Sequence, residues 1–281
     1  MAMAIDPEKL TITINERDNI SALLYVAQKD RAGTTLILGH GAGANQLHPF
    51  MRLFAAGLAE RGFDVLTFNF QYMEQGRRAP DPKAKLEACY RAVIEAARKN
   101  KKLKGNHVVI GGKSMGGRIA SQVAATLLEC GGLTPLSDAA AHSSQESKTH
   151  WKTKKHSNIE ATRANESNVV QTPTSDIAGL VFLGYPLHPP GKPDQLRDAH
   201  LPQIAAPMLF VQGSRDAFGM AEEIRATIKK HRLPATLHIV EGGDHSFKVS
   251  KSSGLSQQQV YDSAMDEIAR WLKTEVRNQE H

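Results

Sequence analysis

Cysteine and aromatic residues are scarce in this 281-residue chain, and nowhere do 18 apolar residues run together. Two cysteines, Cys89 and Cys130, are too few for a disulfide framework or a structural zinc site, and both are expected to be reduced thiols packed on helices. The missing apolar run excludes a membrane-spanning helix, and MAMAIDPEKL lacks the basic and then apolar stretch of a secretory leader. A soluble cytoplasmic protein with no membrane partner is therefore expected. Aromatics make up only 6% of the residues, so the basic stretches lack the interleaved rings of a nucleic-acid surface. No internal repeat is visible, which excludes a solenoid.

What is present is ordinary globular material: 41% hydrophobic, 23% charged, with 35 Lys plus Arg against 29 Asp plus Glu, a net charge of +6. Much of the excess falls between Lys83 and Lys104, where Arg91, Arg98, Lys99, Lys101, Lys102 and Lys104 crowd one expected helix and its C-terminal end. There they read as a solvated face and a partner for the helix dipole, and no nucleic-acid ligand is expected.

Hydrophobic periodicity divides the chain into alternating elements. Thr11 to Ile14 and Ala22 to Ala27 are β-prone runs suited to an antiparallel edge. Thr34 to Leu38, Phe63 to Phe70, His107 to Ile110, Ile177 to Gly184, Pro207 to Gln212 and Ala235 to Val240 are further strands. Between and after them, helices are expected over Pro49 to Arg61, Asp81 to Asn100, Met115 to about Cys130, Ala221 to His231 and Ser256 to Lys273. Strands apolar on both faces and alternating with helices imply a mostly parallel sheet covered on both sides, within one domain. The exception is 133–175, rich in Ser, Thr, Asn, Gln and Lys and without aliphatic periodicity, which reads as a flexible surface insertion. Its run from Lys152 to His156 reads as solvated charge, with a localisation or partner signal as the alternative.

The chemistry centres on Gly112-Lys113-Ser114-Met115-Gly116, which follows one expected strand and opens one expected helix. At such a turn the backbone is strained, the flanking glycines permit close approach, and the serine hydroxyl stands above the sheet as a nucleophile. The amide of Met115, at the helix start, is aimed where an oxyanion would develop. A phosphate-loop reading of Gly112-Lys113-Ser114 fails because position 107, where that pattern requires glycine, is His107.

A serine needs a base and an acid, which this topology supplies in the order Ser, Asp, His. Asp216 lies in the loop after Pro207 to Gln212, and His245 in the loop after Ala235 to Val240, both at C-terminal strand ends. His245 would carry the Ser114 proton, and Asp216 would fix its tautomer. Asp244 is the rival acid and is read as shaping the turn. His40-Gly41-Ala42-Gly43 follows the first parallel strand and offers the second oxyanion amide, with Ala42 preferred over Gly41 or Gly43. His40 reads as structural rather than as a second base. Ser114 and Asp216 stand 102 positions apart, and once 133–175 is set aside no room remains for a cap domain. The cleft is then expected between Asn69–Met73 and Tyr185–Pro193, with Tyr72, Tyr185 and His188 as substrate contacts.

With these residues in place, the chain resembles α/β-hydrolases of the dienelactone-hydrolase-like branch. It is more closely similar to the family named after testis-expressed protein 30 and the third subunit of the nonspecific-lethal chromatin complex. The strings that carry this are HGAGA at 40–44, GGKSMGGR at 111–118, FLGYPLHPPGKPDQLR at 182–197 and GGDHSF at 242–247. The resemblance implies the eight-stranded hydrolase sheet and the residues Ser114, Asp216 and His245. Dienelactone hydrolases proper use cysteine where this chain has Ser114, so their substrate is not implied, and 133–175 departs from the family pattern. The expected activity is hydrolysis of small or medium acyl esters through an acyl-enzyme, with a small acyl substrate and no metal or cofactor. A peptidase or acyltransferase would use the same residues, and a non-catalytic interaction protein on the same fold is the competing class.

Overall fold

Alternating apolar strands and amphipathic helices leave few ways to bury both faces of a sheet, and the chain uses one of them. The computed structural model describes residues 5–127 and 177–276. Its strands are β1 (Glu8–Thr13), β2 (Asn19–Tyr25), β3 (Thr34–Gly39), β4 (Asp64–Phe68), β5 (His107–Lys113), β6 (Ile177–Leu183), β7 (Met208–Gly213) and β8 (Ala235–Val240). They form one eight-stranded sheet in the order β1-β2-β4-β3-β5-β6-β7-β8. β1 pairs antiparallel with β2, and β2 with β4; every other neighbour is parallel. This is the α/β-hydrolase fold.

Among the described residues, six helices cover the sheet: α1 (Pro49–Glu60), α2 (Gln71–Glu74), α3 (Lys83–Lys99), α4 (Met115–Leu127), α5 (Ala221–His231) and α6 (Gln257–Trp271). Side chains on a strand alternate faces, so Ile37, Ile110, Phe182 and Phe210 join one core with residues of α3 and α4, while Leu36, Val109, Val181 and Leu209 join another with α1 and α6. Unbroken apolar strands are what two covered faces require.

Element ends depart from expectation for local reasons. β4 stops at Phe68, not Phe70, because the chain then leaves the ladder: Asn69 still donates to the Ser21 carbonyl of β2, but the Phe70 amide turns to His40 Nε2 at 3.1 Å. Gln71–Glu74, expected as loop, is then one helical turn. β5 runs past Ile110 to Lys113, because Gly112 pairs with Gly39 and Lys113 with Leu183. α6 ends at Trp271 and continues as a wider turn over Leu272–Val276. Cys89 is a free, buried thiol on α3, as expected, and burial pushes its pKa up to about 12. Cys130 and the 133–175 segment lie outside the described residues. Among those described, no helix is long and apolar enough to cross a membrane.

Candidate active site

β5 delivers Lys113 to the C-terminal edge of the sheet, and the chain must turn within one residue to start α4. Ser114 makes that turn at φ +50°, a left-handed conformation costing a non-glycine residue about 1–2 kcal/mol. Its amide is held by the Leu183 carbonyl of β6 at 3.1 Å. The turn also presses α4 against β3. A Cβ on Gly116 would lie 2.1 Å from the Gly39 carbonyl oxygen, and one on Gly112, at φ +142°, would meet the same atom at 2.1 Å. Only glycine fits at either place. Ser114 thereby stands partly exposed at the α4 N-terminus, and the Met115 amide beside it donates to no group among the described residues.

Two further loops reach this point. Asp216, after β7, is wholly buried. Its Oδ2 accepts from Gln212 Nε2 at 2.8 Å and its Oδ1 from the Phe218 amide at 2.8 Å. His245, after β8, donates from Nδ1 to Asp216 Oδ2 at 2.7 Å, which leaves Nε2 to accept from the Ser114 hydroxyl at 2.9 Å. Phe218 lies against the imidazole, with ring centroids 4.3 Å apart. Three residues spread over 131 positions thus form one hydrogen-bonded chain. Asp244 takes no part: it is exposed, and its Oδ1 accepts from the Ser246 and Lys248 amides at 2.7 and 2.9 Å, closing the turn.

The loop after β3 supplies the facing wall. His40 is fully buried, donating from Nδ1 to the Gly41 carbonyl at 2.9 Å and accepting from Phe70 at Nε2; burial lowers its pKa to about 4. A neutral imidazole with both nitrogens engaged is scaffolding. It holds Gly41 close, since a Cβ there would sit 3.6 Å from Ser114 Cβ, and puts Ala42 on the same cavity as Ser114 and Met115. The Ala42 amide also has no acceptor among the described residues. Under the site, Lys113 Nζ donates to the His245 carbonyl and lies 5.7 Å from the Phe50 ring centroid. Burial lowers its pKa to about 8 against the pull of Asp216 and Asp244.

The cavity beside Ser114 has a volume of about 290 Å³. Its wall differs from the expected one. Asn69–Met73 contributes nothing, and Tyr72, Tyr185 and His188, expected as substrate contacts, do not line it. Tyr72 and Tyr185 are 0% exposed and His188 5%. Tyr72 belongs to the aromatic core around Phe70, centroids 6.5 Å apart. Tyr185 donates from its hydroxyl to the Arg197 carbonyl at 2.9 Å, and His188 bonds the Pro189 carbonyl at 2.8 Å and Glu223 at 3.2 Å. Their side chains turn inward to hold the 185–197 loop, because a proline-rich loop has few amides to tie itself down. The lining comes instead from Pro80, Leu86, Arg118, Pro186, Arg197 and Phe218, with Ala42 and Met115. Arg118 was within reach of sequence reasoning, lying four residues beyond Ser114 on the first turn of α4. Gln212 and Arg197 carried no such signal. Among the described residues, no group of His, Cys, Asp or Glu is placed to hold a metal.

Known proteins share this arrangement of elements. The chain resembles an α-β serine hydrolase homologue from Coxiella burnetii (15% identity, 96% of this chain and 100% of that one, TM-score 0.63). It also resembles dienelactone hydrolase from Anabaena variabilis (15% identity, 95% and 97%, TM-score 0.60) and an esterase from Pyrococcus furiosus (14% identity, 97% and 92%, TM-score 0.62). At such identities the likeness speaks for the fold. The family model described as alpha/beta hydrolase domain matches residues 32–154 and 161–273, most of the chain. With sheet order, strand-to-helix turn and family match in agreement, the chain belongs to the α/β-hydrolase domain family.

Proposed function

We propose that the protein is a serine hydrolase that cleaves small or medium acyl esters, with Ser114 as nucleophile, His245 as general base and acid, and Asp216 as its partner. One observation carries this reading: the continuous hydrogen-bonded chain from Ser114 Oγ through His245 to the buried Asp216, beside two amides that have no partner among the described residues. In the first half-reaction Ser114 Oγ bonds to the ester carbonyl carbon while its proton passes to His245 Nε2. The negative charge on the carbonyl oxygen is taken by the Met115 and Ala42 amides. The carbon–oxygen bond to the leaving alcohol then breaks as His245 returns the proton to it. In the second half a water molecule attacks the acyl carbon, giving its proton to His245, and Ser114 is regenerated as the acid departs. Asp216 keeps Nδ1 protonated throughout, so that Nε2 is free to accept. The strings around Ser114 and at 182–197 support a place in the branch of testis-expressed protein 30 and the nonspecific-lethal subunit.

Fluorophosphonate treatment followed by intact-mass measurement tests the reading. One adduct is expected on the parent protein and none on Ser114→Ala. A folded parent that takes up no adduct would overturn it.

A further inference from the structure

We propose that the cavity beside Ser114 selects esters bearing a carboxylate, which Arg118 and Arg197 hold against the nucleophile. The inference rests on the hydrolase reading of Ser114 and adds the substrate class. Both arginines line the cavity that contains Ser114, and both are partly buried. The Arg118 guanidinium has neither an ion pair nor a hydrogen bond among the described residues. The Arg197 guanidinium has one long bond, to the Pro186 carbonyl at 3.4 Å. Half-buried guanidinium groups ordinarily find a carboxylate or a set of carbonyls, because removing them from water uncompensated is costly.

Their placement also favours an anion. Arg118 stands in the first turn of α4, where the positive end of the helix disfavours a cation and favours an anion. Burial and then the charge of Arg197 act against its ionisation, outweighing the opposing pull of Tyr185 and Glu87. The other charged side chains on the wall are already engaged. Asp81 accepts from Arg77 at 2.6 Å and lies 3.8 Å from Lys85, while Lys83 lies 3.5 Å from Glu87. Two forked donors therefore line the cavity with one long bond between them, and a planar carboxylate matches that fork. The Asp81 carboxylate on the same wall favours a singly charged ligand over a phosphate dianion. The apolar remainder, Met115, Pro186 and Phe218 among it, suits the carbon skeleton between the carboxylate and the ester.

The test pairs each charged ester with a neutral analogue. 4-Nitrophenyl hemiglutarate against 4-nitrophenyl pentanoate places the charge on the acyl side, and 4-acetoxybenzoate against methyl 4-acetoxybenzoate places it on the leaving side. For at least one pair, kcat/KM for the charged ester should exceed that for the neutral one by about tenfold or more. In Arg118→Gln and in Arg197→Gln that ratio should fall towards one. Because the ratio compares two substrates on one sample, partial misfolding of a variant cancels. Ratios at or below one for both pairs in the parent, or a ratio unmoved in both variants, would overturn the proposal. So would stronger competitive inhibition by propyl phosphate than by glutarate. If no ester is cleaved while fluorophosphonate still labels Ser114, this proposal falls and the nucleophile stands. If neither cleavage nor labelling occurs, the hydrolase reading falls and takes the substrate class with it.

Discussion

Lys113 illustrates how much a single side chain can hold. It occupies the variable position before the serine, where a surface residue would serve the turn equally well, yet its ammonium is buried and bonded to the His245 carbonyl. That bond ties the β8 loop to the β5 loop directly beneath the Ser114–His245 contact. The charged amine makes it stronger than a neutral donor would. Lys113→Met should therefore lower kcat/KM by about tenfold, through misplacement of the imidazole. The pH profile separates this from a general loss of fold. Above about pH 8 the parent loses the Lys113 charge and with it part of the clamp, so its activity should decline there; Lys113→Met should show no such alkaline fall. Stability moves the other way. The folded pKa lies below the unfolded value of 10.5, so the unfolded chain holds the proton longer, and the fold gains stability as pH rises from 8 towards 10.5. A parent profile flat above pH 8, or one shared with the variant, would remove Lys113 from this role.

Between elements, the decisive contact is that of α4 with β3. Residues 111–118 were readable as a strand-to-helix turn because glycines flank a serine after an apolar run. What the string did not show is the partner: Gly116 packs onto the backbone of Gly39, six elements earlier in the chain. Adding one methyl there forces α4 off the sheet and carries the Met115 amide and Ser114 with it. Gly116→Ala is expected to cost about 3 kcal/mol, read as a fall in Tm of roughly 6 °C or more, together with loss of fluorophosphonate labelling. Unchanged melting would mean that the interface yields more easily than its geometry indicates. The same scale explains the missed cleft wall. Asn69–Met73 reads as a loop by composition, but Asn69 is drawn to the β2 edge through Ser21, and Tyr72 is swung into the core with Phe70. Those attractions come from elements distant in sequence, so no local pattern records them.

For the molecule as a whole, burial sets how the fold responds to acid. His40 is sealed as a neutral imidazole with a pKa near 4, while in the unfolded chain it would titrate near 6.5. Between those values the unfolded state takes up a proton that the folded state refuses. Stability is therefore complete above pH 6.5 and declines as pH falls to 4, by on the order of 3 kcal/mol from this residue. His200, half-buried against Ser121 at 2.7 Å and near Lys83 and Arg118, is lowered by that burial to about 4 and adds in the same direction. Urea denaturation at pH 7 and pH 5 should show a lower midpoint at pH 5, with a smaller difference in His200→Gln. Equal midpoints in the parent would count against both assignments.

Sequence alone determined the class of the fold and the order in which Ser114, Asp216 and His245 reach the C-terminal strand ends. Two covered faces require unbroken apolar strands, and a nucleophile, an acid and a base at strand ends must follow the order in which those strands occur. The meeting of Ser114, Asp216 and His245 was legible for that reason, as was the placing of His40 and Asp244 outside it. Tertiary structure decided what lies around them: that Gln212 and Phe218 hold Asp216, that Tyr72, Tyr185 and His188 turn into the protein, and that Arg118 and Arg197 converge on one cavity. The succession of strands and helices is written into periodicity and turns, which are local. The lining of a cleft depends on which side chains from separate loops meet after the sheet has closed, and only packing settles that.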